Sequence, residues 1–215
     1  AEADRASQRV AKELLAAGIG KATRVGIIET FGTAWVVAWL AITRIGALFM
    51  PFPSTYRAPE LQRGLRHGDV HTLLVPPLML GNDMADFAEA AVPGLREARG
   101  TTLFLDEFPY LRQVLVAGAS ERAWAREISL AVHATRDDGS PAVSDHLLTS
   151  VEDAVTPADL MAVIFTSGAT SEPKGVVHTH GGQVRHGWNL AHNFGAGTRP
   201  DERVSGLRRK DRRPE

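Results

Sequence analysis

Cysteine is absent from the 215 residues, which excludes disulfides, thiolate metal sites and a cysteine nucleophile and fits a reducing compartment. An excess of either charge is also missing, since 24 Lys and Arg stand against 25 Asp and Glu for a formal net charge of −1. Nucleic-acid binding draws on phosphate contacts, and this chain offers no broad positive field for them, so nucleic acid is set aside as a partner. A basic region followed by an apolar stretch, the mark of a secretory signal, is missing from the N-terminus, and the chain opens on Ala1 where methionine would stand. The expectation is a cytoplasmic protein that is a piece of a longer one. What remains is ordinary: 44% hydrophobic, 23% charged, 20 Gly and 12 Pro, enough apolar residues for one domain with a sizeable core.

The longest apolar stretch, Thr33 to Phe52, approaches the length of a membrane span. Arg44 lies inside it, and Gly46, Pro51 and Pro53 break its end, so a buried helix followed by a buried strand is expected and membrane insertion is argued against. Trp35, Val36, Trp39, Leu40 and Ile42 form the expected inward face of that helix, and Ala47 to Phe52 the strand.

Around this pair, helices and strands alternate. A helix from about Ala6 carries Val10, Leu14, Leu15 and Ala17 on one face and ends at Gly18 and Gly20. Arg24 to Ile28 reads as a short strand. Ala58 to His67 reads as a helix with Pro59 in its first turn, Leu61 and Leu65 spaced by four, and Gly68 as its stop. Strands are expected at His71–Val75, Thr101–Leu105 and Leu111–Ala117, and a helix at Asn82–Ala91. Asp137 to Asp145 reads as a loop. Such alternation means an α/β fold, a layered parallel or mixed sheet with helices on both faces.

The chemistry lies in the last strand unit. Leu160 to Phe165 is a continuous apolar run, hence an expected buried strand, and it delivers the chain into Thr166-Ser-Gly-Ala-Thr-Ser-Glu-Pro-Lys174-Gly175. Hydroxyls and backbone N–H groups donate to phosphate oxygens, glycine lets the backbone approach, and lysine supplies charge. By content the loop is a polyphosphate cradle, although composition alone also allows a polar turn between strands. A Walker A loop would need glycine before the lysine, Ser or Thr after it, and a helix starting there. Pro173 and Gly175 flank Lys174 instead, and Val176-Val177-His178-Thr179-His180 reads as a strand, so that class is rejected.

The run Phe165-Thr-Ser-Gly-Ala-Thr-Ser-Glu-Pro-Lys-Gly-Val-Val-His-Thr-His180 resembles the signature loop of the adenylate-forming superfamily of acyl-CoA synthetases, luciferases and peptide-synthetase adenylation domains. Upstream, Arg24-Val-Gly-Ile-Ile, Trp35-Val-Val-Ala-Trp-Leu-Ala-Ile, Gly46-Ala-Leu-Phe-Met-Pro-Phe and Tyr56-Arg-Ala-Pro-Glu-Leu61 are similar to the first part of that family's large domain. The resemblance implies a partial large domain over residues 1–198 and a charged, disordered or non-native tail over 199–215. It implies a carboxylate attacking the α-phosphate of ATP to give an acyl-adenylate and pyrophosphate, after which a thiol, coenzyme A in the acyl-CoA branch, takes the acyl group. Thr166, Ser167, Gly168, Thr170 and Lys174 would hold the β- and γ-phosphates, with Ser171 and Gly175 completing the loop. Ala169 and Ser171 depart from the family's commonest pattern, which has a hydroxyl residue and a glycine there. The aromatic-Gly-x-Thr-Glu segment that contacts adenine and Mg2+, the ribose aspartate and a late lysine do not follow His180. The expectation is a piece of an acid:CoA ligase without complete turnover on its own. Alternatives are a peptide-synthetase adenylation module, a non-catalytic phosphate-binding remnant, and a membrane-associated interaction protein acting through Thr33 to Phe52.

Four histidines, His178, His180, His186 and His192, have spacings that could hold zinc, but they share no helical face, so a metal site is not expected. Trp188, Val184 and Ala191 read as the buried face of a helix, and Gly195 and Gly197 as its stop. Asp106-Glu107 reads as a solvated turn.

Overall fold

Residues spaced by three and four set the first helix. In α1 (Glu2–Ala16), Ala6, Val10, Ala11 and Leu14 are buried, and the helix starts four residues earlier than the sequence suggested. It ends in a Schellman turn, with Gly18 at φ +78° donating its N–H to Leu15 O and Ile19 donating to Leu14 O, both at 2.9 Å. The computed structural model describes residues 2–132, 143–166 and 174–193.

After β1 (Arg24–Ile28) comes α2 (Thr33–Arg44), then β2 (Leu48–Phe52) and α3 (Ala58–His67), close to the expected positions. The inward face of α2 is Val37, Ala38, Ala41 and Ile42; Trp35 and Trp39 are only half-buried, because indoles at these positions lap over the rim of the core. Arg44, the charge inside the apolar run, binds Glu152 at 2.5 Å and Asp4 at 2.6 Å. It thus ties α2 to its neighbours across the helical layer. Among the described residues no helix is long and apolar enough to cross a membrane.

Next come β3 (Thr72–Val75), the two-stranded hairpin β4 (Leu78–Met79) and β5 (Asn82–Asp83), α4 (Met84–Ala91), β6 (Gln113–Val116) and β7 (Ala125–Glu127). Asn82 and Asp83 lie outside the helix once expected there, since the Asp83 carboxylate accepts from Ala85 N and Asp86 N and so caps its start. No strand forms over Thr101–Leu105: Leu103 N donates to Arg112 O, and Leu105 bridges only Phe108 across the exposed Asp106–Glu107 turn. Gly68 does follow α3, but with φ −86°, and the left-handed residue is Asp69 at φ +45°. A Cβ on Gly68 would stand 2.6 Å from the Met50 methyl and 3.0 Å from Gly64 O, so close packing and not chain reversal is what favours glycine there.

The last described segments are α5 (Asp145–Asp153), β8 (Leu160–Thr166), β9 (Lys174–Thr179) and α6 (His180–Asn193). Of the loop expected over Asp137 to Asp145, residues 137–142 lie outside the described residues, and Asp145 begins α5, whose cap is the Ser144 hydroxyl accepting from Leu147 N. The main sheet runs β7-β6-β3-β1-β2-β8-β9, parallel throughout except that β9 is antiparallel to β8. Helices α1, α2 and α5 cover one face through Val10, Leu14, Val37, Ala41 and Leu148, while α3 and α4 cover the other through Leu61, Leu65, Met84 and Ala88. The layered mixed sheet with helices on both faces is therefore present.

Candidate functional site

Because β1, β2 and β8 are parallel neighbours, their carboxyl ends open on one side of the sheet, the side on which open α/β sheets bind ligands. There β8 ends at Thr166 and β9 returns from Lys174, the two residues facing each other in register, with Thr166 Oγ1 donating to Lys174 O at 3.3 Å. Both are exposed. The loop is thus framed by two strands, and Lys174 starts a strand where a Walker loop would start a helix. Ser167, Gly168, Thr170 and Ser171 lie outside the described residues.

The frame is fixed by packing behind it. Phe165, one residue before Thr166, stacks on Phe52 of β2 with ring centroids 5.9 Å apart, and the His67 ring stands 6.0 Å away. Phe52 in turn is enclosed by glycines, since a Cβ on Gly26 would lie 2.7 Å and one on Gly64 2.8 Å from its ring. Gly175 is held to the stem in the same way: a Cβ there would lie 2.8 Å from Val163 on the facing strand. Sequence reasoning missed Phe52, Gly26 and Gly64. Their only signal was a glycine inside a strand and another inside a helix, both of which suggest close approach.

The far end of β9 is anchored through a second set of contacts. Thr179 Oγ1 accepts from Gly182 N and caps α6, while His180 N donates to Asp159 O and Gly181 N to Pro157 O. The Asp159 carboxylate accepts from Lys21 Nζ at 2.7 Å and from Thr156 N at 2.6 Å. These bonds, the lysine's first, hold its pKa down at about 2. Burial pushes the His180 ring below its ordinary value, and its Nε2 is buried without a partner. His180 stands at the strand-to-helix turn, as the first residue of α6 and not the last of the strand. His178, His186 and His192 do not converge on it, and among the described residues no three His, Cys, Asp or Glu side chains group as a metal site.

Two expectations of burial fail here. Only Met161 and Ala162 of β8 are buried, with Leu160 and Ile164 48% and 41% exposed, and no residue of α6 is fully buried. Val184 and Trp188 are 71% and 65% exposed, so the apolar face of α6 has no covering layer among the described residues. An open groove of about 380 Å³ runs between Pro157 and this face.

The AMP-binding enzyme family matches residues 1–206. This chain belongs to that family. Among family relatives, the acyl-CoA ligase sidI of Aspergillus fumigatus is 29% identical over 175 residues, covering 81% of this chain and 27% of its own length. The phosphinothricin tripeptide synthetase PhsC of Streptomyces viridochromogenes is 29% identical over 181 residues, covering 84% of this chain and 13% of its own. The solved structure of a long-chain-fatty-acid-CoA ligase from Archaeoglobus fulgidus superposes with a TM-score of 0.56 at 20% identity, covering 86% of this chain and 31% of that one. The fold is therefore that of the acyl-CoA ligases. The chain spans about a third or less of the length of the curated relatives it matches.

Proposed function

We propose that the β8–β9 loop holds the β- and γ-phosphates of ATP in an AMP-forming acid:thiol ligase. Thr166 and Lys174 stand at its two ends, Ser167, Gly168, Thr170 and Ser171 are the intervening residues assigned to the phosphates in this reading, and Gly175 follows Lys174 in the stem. The observation that carries this reading is the in-register pairing of Thr166 with Lys174, both exposed at the carboxyl end of the sheet. A lysine there neutralises phosphate charge, and the loop's hydroxyls and N–H groups donate to the phosphate oxygens. In the reaction a carboxylate oxygen bonds to the α-phosphorus as the bond to pyrophosphate breaks. A thiol, coenzyme A in this reading, then bonds to the acyl carbon as AMP leaves. The protein's part is positioning and charge stabilisation. Mg2+, which would accompany ATP, has no donor set among the described residues, and no step is routed through it.

The likeness to a peptide synthetase supports a second reading, amino-acid adenylation with the same loop chemistry. In both readings residues 1–198 are part of the AMP-binding domain, 199–215 are a charged tail, and the protein works in the cytoplasm. Calorimetric titration of the chain with ATP, pyrophosphate and AMP tests the phosphate role. ATP and pyrophosphate should bind and AMP should bind far more weakly; equal binding of all three, or none, would sink it. With the chain alone, pyrophosphate exchange into ATP should be undetectable. In a full-length enzyme rebuilt around this segment, exchange dependent on fatty acids would favour the CoA ligase, and exchange dependent on amino acids the synthetase.

A further inference from the structure

A cleft of about 250 Å³ opens at the amino ends of β3 and β6, between residues 65–70 at the end of α3 and residues 106–111 before β6. Since β3, β6 and β8 run parallel in one sheet, this cleft and the β8–β9 loop lie at opposite ends of it. Its two walls are fixed by backbone bonds. Val70 N donates to Leu65 O and Leu111 N to Phe108 O, both at 3.0 Å, and Arg112 N, just past the second wall, donates to His71 O, just past the first, at 2.8 Å. The buried Leu65, Val70, Phe108 and Leu111 give the cleft an apolar floor. Its first wall carries Arg66 and its second Asp106 and Glu107, all exposed. Asp69 is occupied by Arg24 at 3.4 Å. Arg66, Asp106 and Glu107 close no salt bridge among the described residues, across the cleft or elsewhere.

Opposite charges that share a cleft and leave each other unpaired suit a ligand that carries both. A simple anion would meet the two carboxylates and a simple cation the guanidinium, so each would bind against a like charge. We infer that the cleft binds a free α-amino acid with an apolar side chain. Arg66 takes the α-carboxylate through its planar fork of donors. Asp106 or Glu107 accepts from the α-ammonium, and the ligand's side chain covers the floor of Leu65, Val70, Phe108 and Leu111. Pockets for drug-sized ligands start at about 300 Å³, so a cleft slightly smaller than that fits a molecule of amino-acid size. The site is separate from the adenylating chemistry under either reading of the function, because it sits at the far end of the sheet. It rests neither on the phosphate role of Lys174 nor on the choice between ligase and synthetase.

The test is titration of the full chain with L-leucine, read by calorimetry and by the thermal midpoint, which a ligand of the folded state raises. L-leucine should bind and raise the midpoint. Leucinamide, which lacks the carboxylate, and 4-methylpentanoate, which lacks the ammonium, should each bind about tenfold or more weakly, as the loss of a hydrogen bond to a charged group requires. Arg66→Gln, and Asp106→Asn combined with Glu107→Gln, should each weaken L-leucine binding about tenfold or more. All three positions are exposed, so the midpoint of the free chain should stay close to that of the parent. No binding of L-leucine, equal binding of the three probes, affinity indifferent to the cleft variants, or tighter binding of L-lysine than of L-leucine would overturn the proposal. Binding at the loop end of the sheet would show itself as indifference to the cleft variants. ATP and pyrophosphate titrations are read separately on the same chain, so failure here and failure of the phosphate reading are distinguishable.

Discussion

The rings of Phe165 and Phe52 lie 10° from parallel, 5.9 Å between centroids, and join the end of β8 to the neighbouring strand β2. Phe165→Leu keeps an apolar side chain and removes the stack. Stability should fall by about 0.5–1.5 kcal/mol, the worth of an aromatic pair beyond its area, as a lower urea midpoint with an unchanged slope. An unchanged midpoint would mean that the strands alone hold the loop stem.

Gly64 lies inside α3, where alanine ordinarily stabilises a helix by about 1 kcal/mol. A Cβ at 2.8 Å from the buried Phe52 ring reverses the sign. Gly64→Ala should destabilise the chain by about 1–3 kcal/mol, the cost of overpacking a core. Equilibrium unfolding checks this, and a more stable variant would show that Phe52 has room to move.

Burial pushes the ring pKa of both His71 and His180 below the ordinary 6.5; Arg112 adds to this at His71, while at His180 Asp159 opposes it and Lys21 adds to it. The unfolded chain then binds more protons than the folded one between the lowered values and 6.5. Stability should be full above that window and fall as the pH drops through it. Urea midpoints at about pH 7.5 and about pH 5.5 should show the loss, and replacing both histidines with Gln should flatten it. A profile as steep in the double variant would assign the effect to other groups.

Lys174→Ala should weaken ATP binding by about one to two orders of magnitude, since a hydrogen bond to a charged group is worth about 1.5–3 kcal/mol. In the rebuilt full-length enzyme, adenylate formation should slow by about one to three orders of magnitude. Unaltered affinity and exchange rate together would remove Lys174 from the phosphate role.

Much of this was legible in the sequence because it is local. Leu61 and Leu65 four apart, Pro59 in the first turn and the short apolar runs at Arg24–Ile28 and Leu48–Phe52 each report their own element. Thr101–Leu105 misled because Leu103, Phe104 and Leu105 have strand composition but gain only one bridge, over a turn three residues away. The apolar patterns of β8 and α6 predicted burial that the described residues do not provide; a pattern records the surroundings a segment is built for, and neighbours far along a chain leave no mark near it. The candidate loop between β8 and β9 was picked out by its residue content. Its support was not, because Phe52, Gly64 and Phe165 are brought together only by the sheet.

The pairing of Thr166 with Lys174 also makes the intervening length a structural variable. Seven residues, 167–173, separate the two. Side-chain direction alternates along β9, so removing one of the seven leaves two ways out: the span tightens with the ladder intact, or β9 slides by one position and every side chain on it changes face. In the second case Lys174 turns from one side of the sheet to the other, Gly175 leaves Val163, and a side chain with a Cβ arrives where none fits. Single-residue insertions and deletions should therefore be far less tolerated here than pairs, a parity rule that substitution scanning alone would never reveal.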